Sequence, residues 1–191
     1  AIRLLEKLNA WLGRAEELGF TDVICLWPRP TDQKPRYALP PNVLALEHLY
    51  LQDFGSRPFK RLLGRSSVEG LGEDLAAFMR AGGKVALDSL ARRLDSVRRE
   101  VPLAGLFNAP AAWDLARGMY EREMPYGSFL HFFWAWRALA GGLLATLEHE
   151  LPPARVYHTI STGYAGVLAA RAGRETGRPA LLTEHGIYTN E

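Results

Sequence analysis

Some thirty residues near the carboxyl end of this chain are ordered in a way that leaves one folding solution. Arg155-Val156-Tyr157-His158 follows Pro152-Pro153 and reads as a short strand. Thr159 to Gly163 is a polar turn, and residues 164–176 form a helix with Val167, Leu168 and Ala172 on one face. Gly177 and Pro179 end that helix, Ala180 to Thr183 is the next strand, and Glu184-His185-Gly186 closes it. Strand, helix and strand in so short a span make a βαβ unit, which requires parallel strands and a right-handed crossover.

The rest of the chain extends this grammar and then departs from it. Ile2, Leu5, Leu8, Leu12, Ala15 and Leu18 recur at helical spacing over residues 1–18, with Gly19 as a stop. Residues 22–27 form an apolar run that predicts a strand covered on both faces. Five prolines between Pro28 and Pro41 make 28–41 a loop, and Asn42 to Leu46 reads as a second buried strand. Residues 68–147 contain no strand pattern. They carry helical ones instead: Leu87, Leu90, Ala91, Leu94 and Val97, then Trp113, Ala116, Met119 and Tyr120. A third runs through Phe129, Phe132, Phe133, Trp136, Leu139 and Leu143, an aromatic stripe expected to lie in the core. The expectation is an α/β fold with a helical insertion over 68–147, within one domain spanning 1–191. A chain of 191 residues can bury one sizeable core but not two.

Composition narrows the function. The formal net charge is +2, so nothing electrostatic points to nucleic acid, and no nucleic-acid partner is expected. The cluster Arg57, Lys60, Arg61 and Arg65 is short and interrupted, and reads as a solvated loop. The single cysteine, Cys25, sits in the run Val23-Ile24-Cys25-Leu26-Trp27 and reads as a small buried hydrophobe. One cysteine excludes a disulfide framework within the chain and fits a reducing compartment. Residues 1–18 do not resemble a leader peptide, because Arg3, Glu6, Lys7, Arg14, Glu16 and Glu17 give them a polar side. Phe129 to Leu147 is the one membrane candidate; His131, Arg137 and the pair Gly141-Gly142 make it a core helix instead. A cytoplasmic protein is expected.

In open α/β sheets ligands bind beyond the carboxyl ends of the strands. His158 and His185 each end a strand of the βαβ unit, so parallel neighbours would set both imidazoles on one rim. Between them Ser161-Thr162-Gly163 opens the helix. Ser161 or Thr162 is positioned to cap it, and the free amides there suit an anion or a hydroxyl-rich ligand. Gly163 would admit a ligand close to the backbone. The bland readings are a hydrogen-bonded histidine at a strand end, a turn that only caps, and a Glu184–His185 surface pair. No GxGxxG, GxxxxGK[ST] or GxSxG motif occurs, and two histidines without a third ligand make no metal site. The residues alone define an α/β domain with a polar rim near His158 and His185.

Two longer stretches carry a resemblance. His158-Thr159-Ile160-Ser161-Thr162-Gly163-Tyr164-Ala165-Gly166 and Leu182-Thr183-Glu184-His185-Gly186-Ile187-Tyr188-Thr189-Asn190-Glu191 resemble the PelF glycosyltransferases, retaining family-4 GT-B enzymes of Pel exopolysaccharide synthesis. Ser128-Phe129-Leu130, Phe132-Phe133-Trp134-Ala135-Trp136-Arg137 and Leu39-Pro40-Pro41-Asn42-Val43 are similar to the same family, so the resemblance runs from about Leu39 to the end. It implies a Rossmann-like parallel sheet forming the amino-terminal, acceptor-side half of a GT-B fold. It implies UDP-sugar and a saccharide acceptor as substrates, and no metal or other cofactor, since basic residues and a helix dipole stabilise the departing diphosphate. His185 matches the catalytic-loop histidine near the transferred sugar. His158, Thr162, Gly163, Tyr164 and Glu184 match the substrate-facing loop and helix start.

Two departures accompany the resemblance. The family's first strand, with its Gly-Gly-Val loop, has no counterpart ahead of the helix at residue 1. The donor-binding domain has no counterpart up to Glu191. The chain alone is therefore expected not to transfer sugar. The competing reading is a non-catalytic domain docking on an inner-membrane polysaccharide-synthesis complex through 68–147. Exposed aromatics among Phe129, Phe132, Phe133, Trp134 and Trp136 would favour it, and their burial would weaken it.

Overall fold

The computed structural model describes residues 21–27, 41–52, 65–98 and 110–183, together with positions 30, 39 and 107. The helix expected over 1–18, most of the loop 28–41 and most of the basic cluster at 57–65 lie outside the described residues, as do Glu184 and His185. The fold is α/β. Its described elements are β1 (Thr21–Trp27), β2 (Val43–Tyr50), α1 (Arg65–Ala81), α2 (Gly83–Arg98), α3 (Pro110–Glu123), α4 (Phe129–Glu148), β3 (Tyr157–Thr159), α5 (Gly163–Thr176) and β4 (Ala180–Leu182).

The described strands form two parallel pairs, β1–β2 and β3–β4, where one continuous sheet was expected. β2 runs to Tyr50, four residues beyond the expected end at Leu46, because backbone pairing with β1 carries it through Glu47 and His48. Those polar residues broke the apolar run in the sequence without breaking the ladder. Coverage is also lighter than an apolar run implies: Val23 to Trp27 are half-buried and all of β4 is exposed. Cys25 is half-buried, and burial pushes its thiol pKa up, which keeps it protonated and unreactive.

Four helices, α1 to α4, span Arg65–Glu148 and hold the core between themselves. Leu71 and Leu75 of α1, Leu90 of α2, Ala116 of α3 and Leu144 of α4 are at most 1% exposed. Burying a leucine so completely contributes about 1.5–3 kcal/mol. Trp136 anchors the α3–α4 contact, its indole N–H donating to Met119 Sδ at 3.2 Å. The turn between those helices is held by Tyr120, whose hydroxyl donates to Gly127 O at 2.7 Å. Ser128 then caps α4, accepting from the His131 amide. The aromatic stripe of α4 is only partly interior: Trp136 and Leu143 are buried and Phe132 and Phe133 lie against the core, yet Leu139 is 52% exposed.

A polar cluster joins α1 to α2. Asp74 accepts from Arg93 Nε at 2.8 Å and from the Ser89 hydroxyl at 2.9 Å. Burial pushes the Asp74 carboxyl pKa up, but these two hydrogen bonds and the positive charges of Arg93 and Arg92 outweigh it, leaving the carboxyl below its ordinary value. As pH falls, the unfolded chain therefore takes up this proton first. The stabilisation is complete above the ordinary carboxylate pKa, about 4, and fades as pH drops through the lower folded value. Asp74→Asn should flatten the acid limb of a urea-midpoint profile below about pH 4 while lowering the plateau above it. An unchanged acid limb would contradict the assignment.

Candidate functional site

β3 and β4 pair in parallel with His158 opposite Leu181 and Thr159 opposite Leu182. The ladder continues one step past the strands, with the Thr183 amide donating to Thr159 O at 2.8 Å. β3 thus runs from Tyr157 to Thr159, shifted towards the turn from the expected Arg155–His158. Both chains leave the pair at its carboxyl edge, where α5 begins, as a βαβ unit demands.

α5 lies close against β4, and glycine makes that possible. A Cβ on Gly173 would stand 3.1 Å from Ala180 Cβ, and one on Gly166 would stand 3.5 Å from Leu182 Cδ1. Seven residues apart, these glycines lie on one helix face. Their spacing was a readable signal of close helix–strand packing that the sequence reading passed over.

At the rim, His158 is exposed and its Nε2 lies 2.8 Å from Thr183 Oγ1, a pair in which either atom donates according to the imidazole tautomer. The turn is built by a residue the sequence reading did not single out. Thr159 is buried, and its hydroxyl donates to Ser161 O at 2.8 Å while accepting from the Ser161 amide at 3.3 Å. Thr162 occupies the N-cap position of α5 with extended backbone but makes no side-chain cap hydrogen bond, contrary to the capping expectation. The local Thr159–Ser161 turn has already fixed the approach to the helix.

Gly163 has φ +64°, a conformation in which an L side chain is strained, and no described atom lies within 4 Å of where its Cβ would be. Gly163→Ala should cost about 1 kcal/mol from backbone strain alone, whereas Thr162→Ala should leave stability nearly unchanged. Thermal melts of the two variants check this; equal losses would contradict the geometry.

Tyr164 is not at the rim. Its ring packs on α4 and its hydroxyl donates to Leu139 O at 3.2 Å, with Ala138 O at 3.5 Å. That burial pushes the phenol pKa up. The structure thus brings His158, Thr183, Thr162 and Gly163 to one end of the βαβ unit and turns Tyr164 into the helical layer. Among the described residues no group of three or more His, Cys, Asp or Glu is placed to hold a metal ion. No helix among them is long and apolar enough to cross a membrane.

Together, fold and rim define an α/β domain with a polar, exposed strand-end edge of the kind that binds ligands in open parallel sheets. The chain belongs to the family described as Domain of unknown function (DUF3492), which matches it over residues 9–191. No curated protein and no solved structure matches it.

Proposed function

We propose that this chain is the acceptor-side domain of a retaining, PelF-type GT-B glycosyltransferase that moves a sugar from a UDP-sugar to a growing exopolysaccharide. One observation supports this more than any other. The carboxyl ends of parallel β3 and β4 meet the start of α5 in an exposed polar edge, with His158 and Thr183 paired beside the uncovered Gly163 backbone. Amides at a helix start and a hydroxyl-binding histidine suit a sugar and its diphosphate leaving group. The family is also associated with glycosyltransferase-like proteins.

In this reading the acceptor oxygen bonds to the anomeric carbon as the bond to the UDP oxygen breaks, and the acceptor proton leaves with the diphosphate. His185 and Glu184 follow β4 in sequence by two or three residues. His185 hydrogen-bonds the donor sugar or supports charge at the anomeric carbon, Glu184 binds substrate, and His158, Thr162 and Gly163 line the sugar-facing edge. Tyr164 acts by holding α5. No metal is required, because helix dipole and basic groups meet the diphosphate charge. The protein works in the cytoplasm.

His185→Ala in the full-length protein should lower UDP release from its UDP-sugar at least about tenfold, the loss of one transition-state contact. A full transfer rate in that variant would remove His185 from the role.

A second reading, a docking domain for an inner-membrane polysaccharide-synthesis complex, draws on the outer side of α3 and α4. Trp134 is 59% and Trp113 50% exposed; Trp134 meets Phe133 edge-on and Trp113 meets it at a tilt. Phe132 and Phe133 lie against the core and Trp136 is buried, which takes three of the aromatics off that surface, while Leu130 and Leu139 remain exposed.

A further inference from the structure

At the exposed rim a side-chain tie takes over where the backbone ladder of β3 and β4 stops. Rungs in a parallel pair are evenly spaced. Here the Tyr157 amide donates to Pro179 O at 2.9 Å and, further along, the Thr183 amide donates to Thr159 O at 2.8 Å. The next rung in that pattern would run from the Ser161 amide to Thr183 O. It is diverted. The Ser161 amide donates instead to the Thr159 hydroxyl at 3.3 Å, and that hydroxyl donates to Ser161 O at 2.8 Å. Thr159 thus ends the ladder by folding the chain into the turn before α5.

A side-chain bond replaces the missing rung. His158 faces Leu181 in register, and Thr183, two residues on, lies on the same face of the pair. From there its Oγ1 meets His158 Nε2 at 2.8 Å. Both residues are exposed, so water can replace either partner and the bond adds little to stability. Its effect is geometric. It fixes Thr183 at the point where the chain leaves β4, and Glu184 and His185 are the next two residues. Two residues span at most about 7 Å between Cα atoms, so the orientation of Thr183 limits where both can go.

We propose that Thr183 is a positioning residue of this site: its hydroxyl, bonded to His158, sets the direction in which the chain enters Glu184 and His185. Its part in catalysis rests on the glycosyltransferase reading of this edge. The diverted rung and the side-chain tie do not.

The test compares Thr183→Val, which keeps the branched shape and removes the hydroxyl, with Thr183→Ser, which keeps the hydroxyl, in the full-length protein. UDP release from its UDP-sugar gives kcat and KM, and the 15N signals of the His158 ring report the hydrogen bond. The valine variant should lower kcat at least about tenfold, because misplacing a reacting group by about an ångström costs that much or more. Its KM should change less than about twofold, the split expected of a residue that acts on alignment. Its His158 Nε2 signal should shift, and its melting temperature should stay within about 2 °C of the unchanged protein. Serine should bring the rate back to within about threefold and restore the His158 signal. Full kcat in the valine variant overturns the proposal, as does a serine variant as slow as valine, or a rate loss that follows a lost fold. His185→Ala separates the two readings. If it slows transfer and Thr183→Val does not, only the positioning role falls; if neither slows it, the assignment of the reaction to this edge falls too. An unchanged protein that releases no UDP removes the glycosyltransferase reading and this role with it.

Discussion

Replacing Arg171 with methionine should cost the domain about 3 kcal/mol, the largest loss expected from any single change on α5. Arg171 is 5% exposed, yet its guanidinium makes four hydrogen bonds. Nε and Nη2 donate to the two Glu175 oxygens at 2.8 and 3.2 Å, while Nη1 donates to Thr146 O at 3.1 Å and His149 O at 2.6 Å. Those two carbonyls belong to the last turn and cap of α4, where no intrahelical donor remains and the helix dipole is negative. Arg171 thus closes the end of α4 from the neighbouring helix. Methionine fills the volume but leaves buried acceptors unpaired and removes one of the two arginines on Glu175, which keeps Arg174 Nη2 at 2.9 Å. Glu175 keeps partial access to water, which holds the cost to the low end of the range for broken buried pairs. Lysine, a point charge without the planar fork, should recover only part of it. In a domain of this size the methionine variant should melt about 10 °C lower. A urea-unfolding loss under about 1 kcal/mol would show that Arg171 is not needed to finish α4.

Gly142→Ala should destabilise by about 1–3 kcal/mol through overpacking. A Cβ at Gly142 would stand 2.6 Å from Tyr164 Cζ and 2.9 Å from its hydroxyl oxygen. The ring cannot easily retreat, because its hydroxyl is bonded to Leu139 O. α4 is equally constrained there, its Gly142 carbonyl accepting from the buried Thr146 hydroxyl at 2.7 Å. The interference is therefore specific to one pair. Tyr164→Leu removes the ring atoms that meet the new methyl, so the double variant should lose less than the sum of the singles. A double-mutant cycle read by thermal unfolding measures this, with an expected coupling of at least about 1 kcal/mol. Strict additivity would mean that the helices adjust and that Tyr164 does not fix the start of α5.

These two contacts show which parts of the structure the sequence exposed and which it hid. The βαβ order was visible because local signals agreed: prolines before β3, glycine and proline after α5, and apolar positions at helical spacing between. The three later helices of 65–148, α2 to α4, were visible for the same reason, and Leu90 and Leu94 are buried where their period puts them, whereas no pattern was read for α1. The separate strand pairs were not visible, since pairing partners are tertiary facts. The full reach of β2 was hidden by Glu47 and His48, which pair along the backbone regardless of side-chain polarity. Glu47 lies beside the end of α4, its Oε2 3.4 Å from His149 Nε2, though the two are not aligned as a hydrogen bond.

At the candidate site the limits were similar. Gly163 was singled out at the helix start for close ligand approach, and its positive φ became visible only in the structure. The direction of the Tyr164 side chain was not legible, because a motif position gives none, and Gly142, twenty-two residues earlier, supplies the slot it fills. Arg171 was unreadable for a simpler reason. A cation at helical spacing is expected to face water, and here the unpaired carbonyls at the end of another helix offered it better acceptors.

The most direct measurement is a crystal structure of the full-length protein with a bound UDP-sugar and an unreactive acceptor. The reacting sugar should sit at the edge formed by β3, β4 and the start of α5, within hydrogen-bond reach of the Gly163 backbone or the His158–Thr183 pair. A sugar found away from that edge, or an edge closed off by the protein's own elements in the complex, would contradict the account.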